Sequence, residues 1–293
     1  MRAAIYGQYY QNNTEPIIRD IIVFFNKNNV DLIIEAEFLS ILYAKKILKK
    51  EYKTFRTHAD LDGYDILISI GGDGTILRAA TLVRNTGIPI LGINAGRLGF
   101  LATGRKDNID EFLQFVIDKK YTVSERTLLS LQVTPEILEL AKFDFALNEI
   151  TVSRKDTASM ITIETHLYGE YLNSYWADGL IIATPTGSTG YSLSCGGPVL
   201  TPNVQSLVIT PIAPHNLNAR PLVIPDNTEI RLRVTGREQQ YLVSMDSRIA
   251  SIANESTLTI TKTPFTIKMV EIPDETFVKT LRSKLLWGED KRN

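Results

Sequence analysis

Strand and helix signals alternate through the first hundred residues of this 293-residue chain, and then short strands follow almost alone. That change of grammar limits the fold more than any other feature. Arg2 to Tyr6, Val30 to Ile34, Ile66 to Ile70 and Ile88 to Ile93 are apolar runs suited to buried strands. Between them, Thr14 is placed to cap a helix with Glu15 and Pro16 in its first turn and Ile17, Ile18, Ile21, Ile22, Phe24 and Phe25 on its apolar face. Glu37 to Lys49 predicts a second helix, and Ile76, Leu77, Ala80 and Val83 mark a third that runs to about Asn85. This βαβα order implies a parallel sheet with helices on both faces and right-handed crossovers.

After a further helix over Asp107 to Lys119, the pattern becomes Thr-, Val-, Ile- and Tyr-rich runs separated by turn residues. Strands are predicted at Thr122 to Thr134, Asp144 to Val152, Met160 to Tyr168, Gly179 to Ala183 and Ser206 to Ile212. More follow at Glu229 to Val234, Tyr241 to Met245, Thr257 to Thr261 and Phe265 to Glu271. Asp274 to Trp287 reads as a last helix, with Asp274 as its cap and Phe277, Leu281 and Leu285 on one face. The expected organisation is an α/β domain over residues 1–102 and a β-rich domain over 103–272, with the tail 273–293 packing back on the first.

The densest chemical signal is Asp65 to Thr75, DILISIGGDGT. A strand that ends in three glycines around one carboxylate and turns into a helix suits a phosphate. Glycines admit a ligand close to backbone N–H groups, and a helix N-terminus favours negative charge. Asp73 beside that phosphate can hold a cation or take a proton from an attacking hydroxyl. The same residues also make an ordinary strand-to-helix turn. In parallel sheets ligands bind beyond the C-terminal strand ends, where this loop and the following strand's Asn94 to Phe100 both fall.

A second signal lies in the β-rich part. From Gly179 to Ala219 there is no Asp, Glu, Lys or Arg, although Gly, Pro, Ser, Thr and Asn are frequent. The core of this stretch is Thr184 to Ser194, TPTGSTGYSLS, preceded by Asp178 and followed by Gly196-Gly197-Pro198. Its glycines admit a ligand to the backbone, five hydroxyl side chains lie between Thr184 and Ser192, and Tyr191 offers a stacking face. Asp178 suits a ribose diol or an exocyclic amine. Asn148-Glu149 pairs an amide with a carboxylate able to read hydroxyls and ring nitrogens. Arg78, one turn beyond Gly74, either faces the phosphate or solvates its helix.

Composition excludes several classes. A net charge of −1 gives no basic field for nucleic acid or anionic membrane. The N-terminus carries no apolar run of signal-peptide length. One cysteine, Cys195, permits no intrachain disulfide, which together with that N-terminus favours a reducing cytoplasm. Three scattered histidines and no CxxC or HExxH leave no zinc site. GxxxxGK[ST], GxGxxG after a strand and the protein-kinase signatures are also missing.

Taken in order, GGDGT at 71–75, GRLGFLA at 96–102, NE at 148–149, DGLIIATPTGSTGYSLSCGGP at 178–198 and PHNLNARPL at 214–222 resemble the NAD kinases. The resemblance implies a phosphofructokinase-like N-terminal domain and an ATP-dependent transfer of phosphate to the 2′-hydroxyl of the adenosine ribose of NAD, giving NADP. It implies Asp73 as catalytic base. It further implies contacts to NAD or ATP from Gly72, Asp73, Gly74, Thr75, Arg78, Asn148, Glu149, Asp178, Thr186, Thr189, Gly190, Tyr191, Ser192, Leu193, Ser194, Ala213 and Arg248. A divalent cation, normally Mg²⁺, and a homodimer or homotetramer with sites completed by a neighbouring subunit are implied as well. Departures from the family pattern fall at Gly190, Asn216, Asn218 and Arg248 and leave the choice between NAD and NADH open. A lipid or sugar kinase sharing the GGDGT loop, and a non-catalytic dinucleotide binder, are the competing readings.

Overall fold

The computed structural model describes residues 1–9, 14–96, 99–102, 104, 109–140, 145–155, 159–273 and 275–288. Among these, the first half of the chain runs β1 (Arg2–Gly7), α1 (Thr14–Lys27), β2 (Asp31–Glu35), α2 (Ala36–Ala44), β3 (Lys53–Phe55), β4 (Ile66–Gly71), α3 (Asp73–Val83), β5 (Ile90–Asn94), α4 (Ile109–Ile117) and β6 (Thr122–Arg126). There follow β7 (Leu129–Thr134), β8 (Glu149–Arg154), β9 (Ile161–Leu167), β10 (Glu170–Ala177), β11 (Gly179–Ala183), α5 (Tyr191–Ser194), β12 (Ser206–Ile212) and β13 (Leu222–Pro225). The last elements are β14 (Ile230–Thr235), β15 (Gln240–Met245), β16 (Arg248–Ala253), β17 (Thr257–Lys262), β18 (Ile267–Glu271) and α6 (Phe277–Leu285). None of the described helices is long and apolar enough to cross a membrane.

Two compact units emerge. The first holds Met1–Glu125 and the chain from Ile267 onward; the second holds Arg126–Thr266. The expected division at 102/103 and 272/273 therefore differs from the observed packing, which gives α4, most of β6 and all of β18 to the first unit.

The first unit is built on a seven-stranded sheet of order β3-β2-β1-β4-β5-β18-β6. Neighbours from β3 to β5 pair in parallel, and so do β5 and β18. Alternate residues of β4 explain its layers: Ile66, Ile68 and Ile70 join one apolar cluster with Ile18 and Ile21 of α1, Phe38 of α2 and Leu113 of α4. On the opposite face a Cβ added at Gly92 would meet the Ile76 side chain at 2.5 Å, which puts α3 there. Helices thus cover both faces, as the alternation of strands and helices predicts. Thr14 is not the cap of α1 but its first residue, and its hydroxyl donates to the Gln8 carbonyl at 3.2 Å. The expected cap Asp274 lies outside the described residues; Thr276 caps α6 instead, accepting the Lys279 N–H at 3.2 Å. The Lys284 ammonium of α6 stands 5.7 Å from the Phe100 ring centroid, so the tail does lie on the first unit.

The second unit is two antiparallel sheets, β10-β9-β14-β17-β7 and β13-β12-β11-β8-β15-β16. Leu180 and Ile182 of β11 pack into the core between the sheets with Ile163, Leu232 and Ile260. Ile181 and Ala183 of the same strand pack outward with Val208 against Cys195 and Leu200. Because both its faces are covered, β11 reads as an unbroken apolar run, whereas β14 (IRLRVT) alternates buried and exposed residues. The charge-free stretch therefore comprises β11, β12 and the cover on their outer face.

Candidate active site

In the first unit the site is organised by Asp73. Gly71 ends β4 and α3 begins at Asp73, with Gly72 as its extended cap residue. At Gly71, φ is +155° and a Cβ would fall 2.2 Å from the Thr75 hydroxyl, so the turn closes only with glycine. The Thr75 hydroxyl in turn donates to Gln8 Oε1 at 3.2 Å. At Gly72 and Gly74 a Cβ would meet nothing within 4 Å, so the protein leaves room over the loop at both. The first-turn N–H groups of a helix lack intrahelical acceptors and carry the positive end of its dipole.

The Asp73 carboxylate is held from a distant part of the chain. Oδ2 accepts the Phe100 N–H at 2.8 Å, and Oδ1 accepts those of Leu101 and Ala102 at 3.0 and 3.1 Å. A carboxylate offers about four lone-pair sites. Three are taken here, and the one remaining is on Oδ2. Within GRLGFLA, the expected Arg97 and Leu98 lie outside the described residues. Arg78 carries an exposed ion pair with Glu37 at 3.7 Å.

In the second unit the Asn148-Glu149 pair opens β8 beside the 184–194 loop. Asn148 Oδ1 and Glu149 Oε2 are buried and have no hydrogen-bond partner. Both side chains border Gly190: a Cβ there would lie 3.1 Å from Glu149 Oε2 and 3.6 Å from Asn148 Nδ2. Burial, reinforced by the nearby Asp246 charge, pushes the Glu149 carboxyl from 4.5 up to about 7, against a lowering pull from the Tyr191 backbone N–H. Tyr191, 46% exposed, presents its ring to solvent, and its phenol is raised by burial first and then by Cys195, Asp178 and Glu149. Asn148, Glu149, Gly190, Tyr191 and Asp178 are thus neighbours.

The hydroxyls of the loop point elsewhere than expected. Thr184 Oγ1 donates to the Leu147 carbonyl at 2.6 Å and accepts the Gly187 N–H at 3.1 Å. Ser188 Oγ donates to Pro185 O at 2.7 Å and accepts the Leu200 N–H at 2.9 Å. Thr189 Oγ1 donates to Thr186 O at 3.2 Å, and Ser192 and Thr210 share a buried bond of 2.8 Å. These groups build the loop rather than line it. Buried hydroxyls need partners, and the local carbonyls supply them. Thr186 is buried too, while Leu193 is half-buried and Ser194 exposed.

Asp178 and Arg248 are fixed by side-chain bonds, and Ala213 is marked by its backbone. Asp178 pairs with Arg154 at 3.0 Å. Ala213 is exposed directly after β12 with φ +43°, a left-handed backbone that costs a non-glycine residue about 1–2 kcal/mol. Arg248 donates to the carbonyls of Met245, at 3.2 Å, and Phe145, and sits 3.5 Å from Asp246.

Asp246 is the functional residue that sequence reasoning passed over. Buried in the two-residue turn between β15 and β16, it accepts the N–H groups of Leu147, Asn148 and Glu149 at 3.0, 2.7 and 3.3 Å. It therefore fixes the segment that presents the amide and carboxylate. Its one visible signal was the Met245-Asp246-Ser247-Arg248 turn, whose bonding reaches about a hundred residues back along the chain.

The model of the ATP-NAD kinase N-terminal domain matches residues 20–121, and that of the ATP-NAD kinase C-terminal domain matches residues 147–272. A protein of Flavobacterium johnsoniae named NAD kinase is 71% identical over 294 residues, covering 100% of each chain. One of Cytophaga hutchinsonii, also named NAD kinase, is 43% identical over 291 residues and 99% of each chain. The crystal structure of yeast NADH kinase complexed with NADH shares the fold, with TM-score 0.87 at 23% identity over 99% of this chain and 89% of that one. An NAD kinase from Archaeoglobus fulgidus in complex with ATP superposes with TM-score 0.73 at 25% identity over 97% of each chain.

Proposed function

This chain belongs to the NAD kinase family, and on that premise we propose that it transfers the γ-phosphate of ATP to the 2′-hydroxyl of the adenosine ribose of NAD, forming NADP and ADP. The observation that carries the reading is Asp73, a carboxylate at a strand-to-helix junction with three of its acceptor sites filled by backbone N–H groups and one left on Oδ2. That remaining lone pair accepts the ribose hydroxyl. The hydroxyl oxygen forms the new P–O bond, the bond from the γ-phosphorus to the bridging oxygen of ADP breaks, and the hydroxyl proton goes to Asp73. A loose transition state asks the base for alignment and a late proton acceptance more than for strength. The N–H groups of Gly72, Asp73 and Gly74 at the start of α3 receive the phosphates, while Thr75 shapes the turn: its N–H donates to the Gly72 carbonyl at 2.9 Å and its buried hydroxyl to Gln8.

On the dinucleotide side, the unpartnered Asn148 Oδ1 and Glu149 Oε2 read donor groups of the ligand. Tyr191 supplies a stacking face, and Asp178, Gly190 and Ala213 complete the contacts. Thr184, Ser188, Thr189 and Ser192 act by shaping the loop. Arg248 acts through the Asp246 turn rather than on the ligand.

No group of three or more His, Cys, Asp or Glu side chains able to hold a metal occurs among the described residues, and the Asp73 oxygens are largely occupied. The residues do not fit a resident divalent cation. Mg²⁺ enters as part of the substrate, on the triphosphate. The family resemblance supports a homodimer or homotetramer, and the single free Cys195 supports a reducing, cytoplasmic location.

The test supplies purified protein with MgATP and NAD and detects NADP with an NADP-specific dehydrogenase. NADP is expected; a folded protein that binds NAD and forms none overturns the reading in favour of a binder. Asp73→Asn is expected to keep NAD binding and lose at least about 10²-fold in kcat. A near-wild-type rate would remove Asp73 from the chemistry.

A further inference from the structure

Gly99 is half-buried and lies just before the three residues whose N–H groups hold Asp73. A Cβ built on it would fall 1.9 Å from Asp73 Oδ1, 2.4 Å from the carboxyl carbon and 2.7 Å from Oδ2. Real Cβ atoms do not approach so closely, so even alanine forces the carboxylate or the loop to move. All three of the atoms nearest that Cβ belong to the Asp73 carboxylate, and none to backbone. The missing side chain is therefore matched to one functional group rather than to the general packing of the loop.

We propose that Gly99 is a positioning residue of the phosphoryl transfer: its bare Cα lets the 99–102 backbone close over Asp73, so that Phe100, Leu101 and Ala102 fix which lone pair faces the acceptor hydroxyl. This rests on Asp73 as the base. Three N–H donors from consecutive residues define the plane and the rotation of the carboxylate, and they leave Oδ2 as its open side. A side chain at 99 rotates or displaces that plane without removing any group that binds ATP or NAD. A misplacement on the order of 1 Å at a reacting group costs about 10²-fold in rate.

Gly99→Ala, Asp73→Ala and the double variant are compared with the wild type by kcat, by KM for ATP and NAD, and by thermal midpoint. Gly99→Ala is expected to lower kcat about 10²-fold with both KM values within roughly twofold of wild type. In the Asp73→Ala background, where the clashing atoms are gone, Gly99→Ala is expected to change neither the residual rate nor the midpoint. If Gly99→Ala alone unfolds, the double variant is expected to fold; failure to do so overturns the proposal. A wild-type kcat for Gly99→Ala overturns it, and so does an equal loss in both backgrounds, which would mean that the residue acts on the fold and not through Asp73. A wild-type kcat for Asp73→Ala instead sinks the base reading itself and takes this proposal with it.

Discussion

Glu149 joins burial, charge and function in one side chain. Its carboxyl is raised from 4.5 to about 7 because burial disfavours the anion and Asp246 adds a like charge. The folded state therefore holds the proton more tightly than the unfolded chain does. The resulting stabilisation is fully present below about 4.5 and is lost as pH rises through 7. By linkage the loss is on the order of 3 kcal/mol. Glu149→Gln removes the titration, so its thermal midpoint relative to wild type is expected to climb between pH 5 and pH 8. A constant difference across that range would show that Glu149 is ionised throughout. Asp73 was legible in the sequence because it follows a strand and stands between glycines, whereas Asn148-Glu149 has no glycine beside it and stood out only through the family resemblance. Asp246 and Gly99 were not, since each acts on residues far along the chain, and no local pattern records which carboxylate a bare Cα must clear.

At the level of elements, the TPTGST segment shows how hydroxyls beside glycines also serve the loop itself. Hydroxyls near glycines suggested ligand contacts, but most of them satisfy the loop's own carbonyls and amides. Thr184 ties the loop to the segment leading into β8, through Leu147. Thr184→Val keeps the volume and leaves the Leu147 carbonyl and the Gly187 N–H without that partner, at a cost of about 2 kcal/mol. The midpoint is expected to fall by roughly 4–8 °C, and KM for NAD to rise while KM for ATP stays. Unchanged KM values would separate this tether from NAD binding. The parallel strands β1, β2, β4 and β5 were readable within one or two residues, since their apolar runs are continuous. Short edge strands such as β3 and β13 were not, being too brief to show a period. Thr122 to Thr134, expected as one strand, divides into β6 and β7, which belong to different sheets.

For the molecule as a whole, the second unit is one unbroken stretch of chain, and the first is made of two. The second owns its apolar core between two sheets, so a fragment of residues 126–266 is expected to fold alone, with a cooperative thermal transition and β-type circular dichroism. A fragment without a cooperative transition would show that it depends on the first unit. Composition and the change of pattern revealed two domains, but the boundary was misjudged because β18 resembles the strands just before it while pairing with β5 in the other unit.

That placement of β18 imposes an order on biosynthesis. The strand lies between β5 and β6 in the first sheet, yet it is translated after the whole second unit. At elongation rates of about 5–20 residues per second, the nascent chain waits on the order of ten seconds between β6 and β18. Throughout that interval β5 has no β18 beside it on the ribosome, while the second unit is free to collapse. A message truncated just short of Ile267 would release a polypeptide whose two-sheet unit is finished and whose GGDGT unit still has an unpaired edge, a substrate for chaperones and proteases.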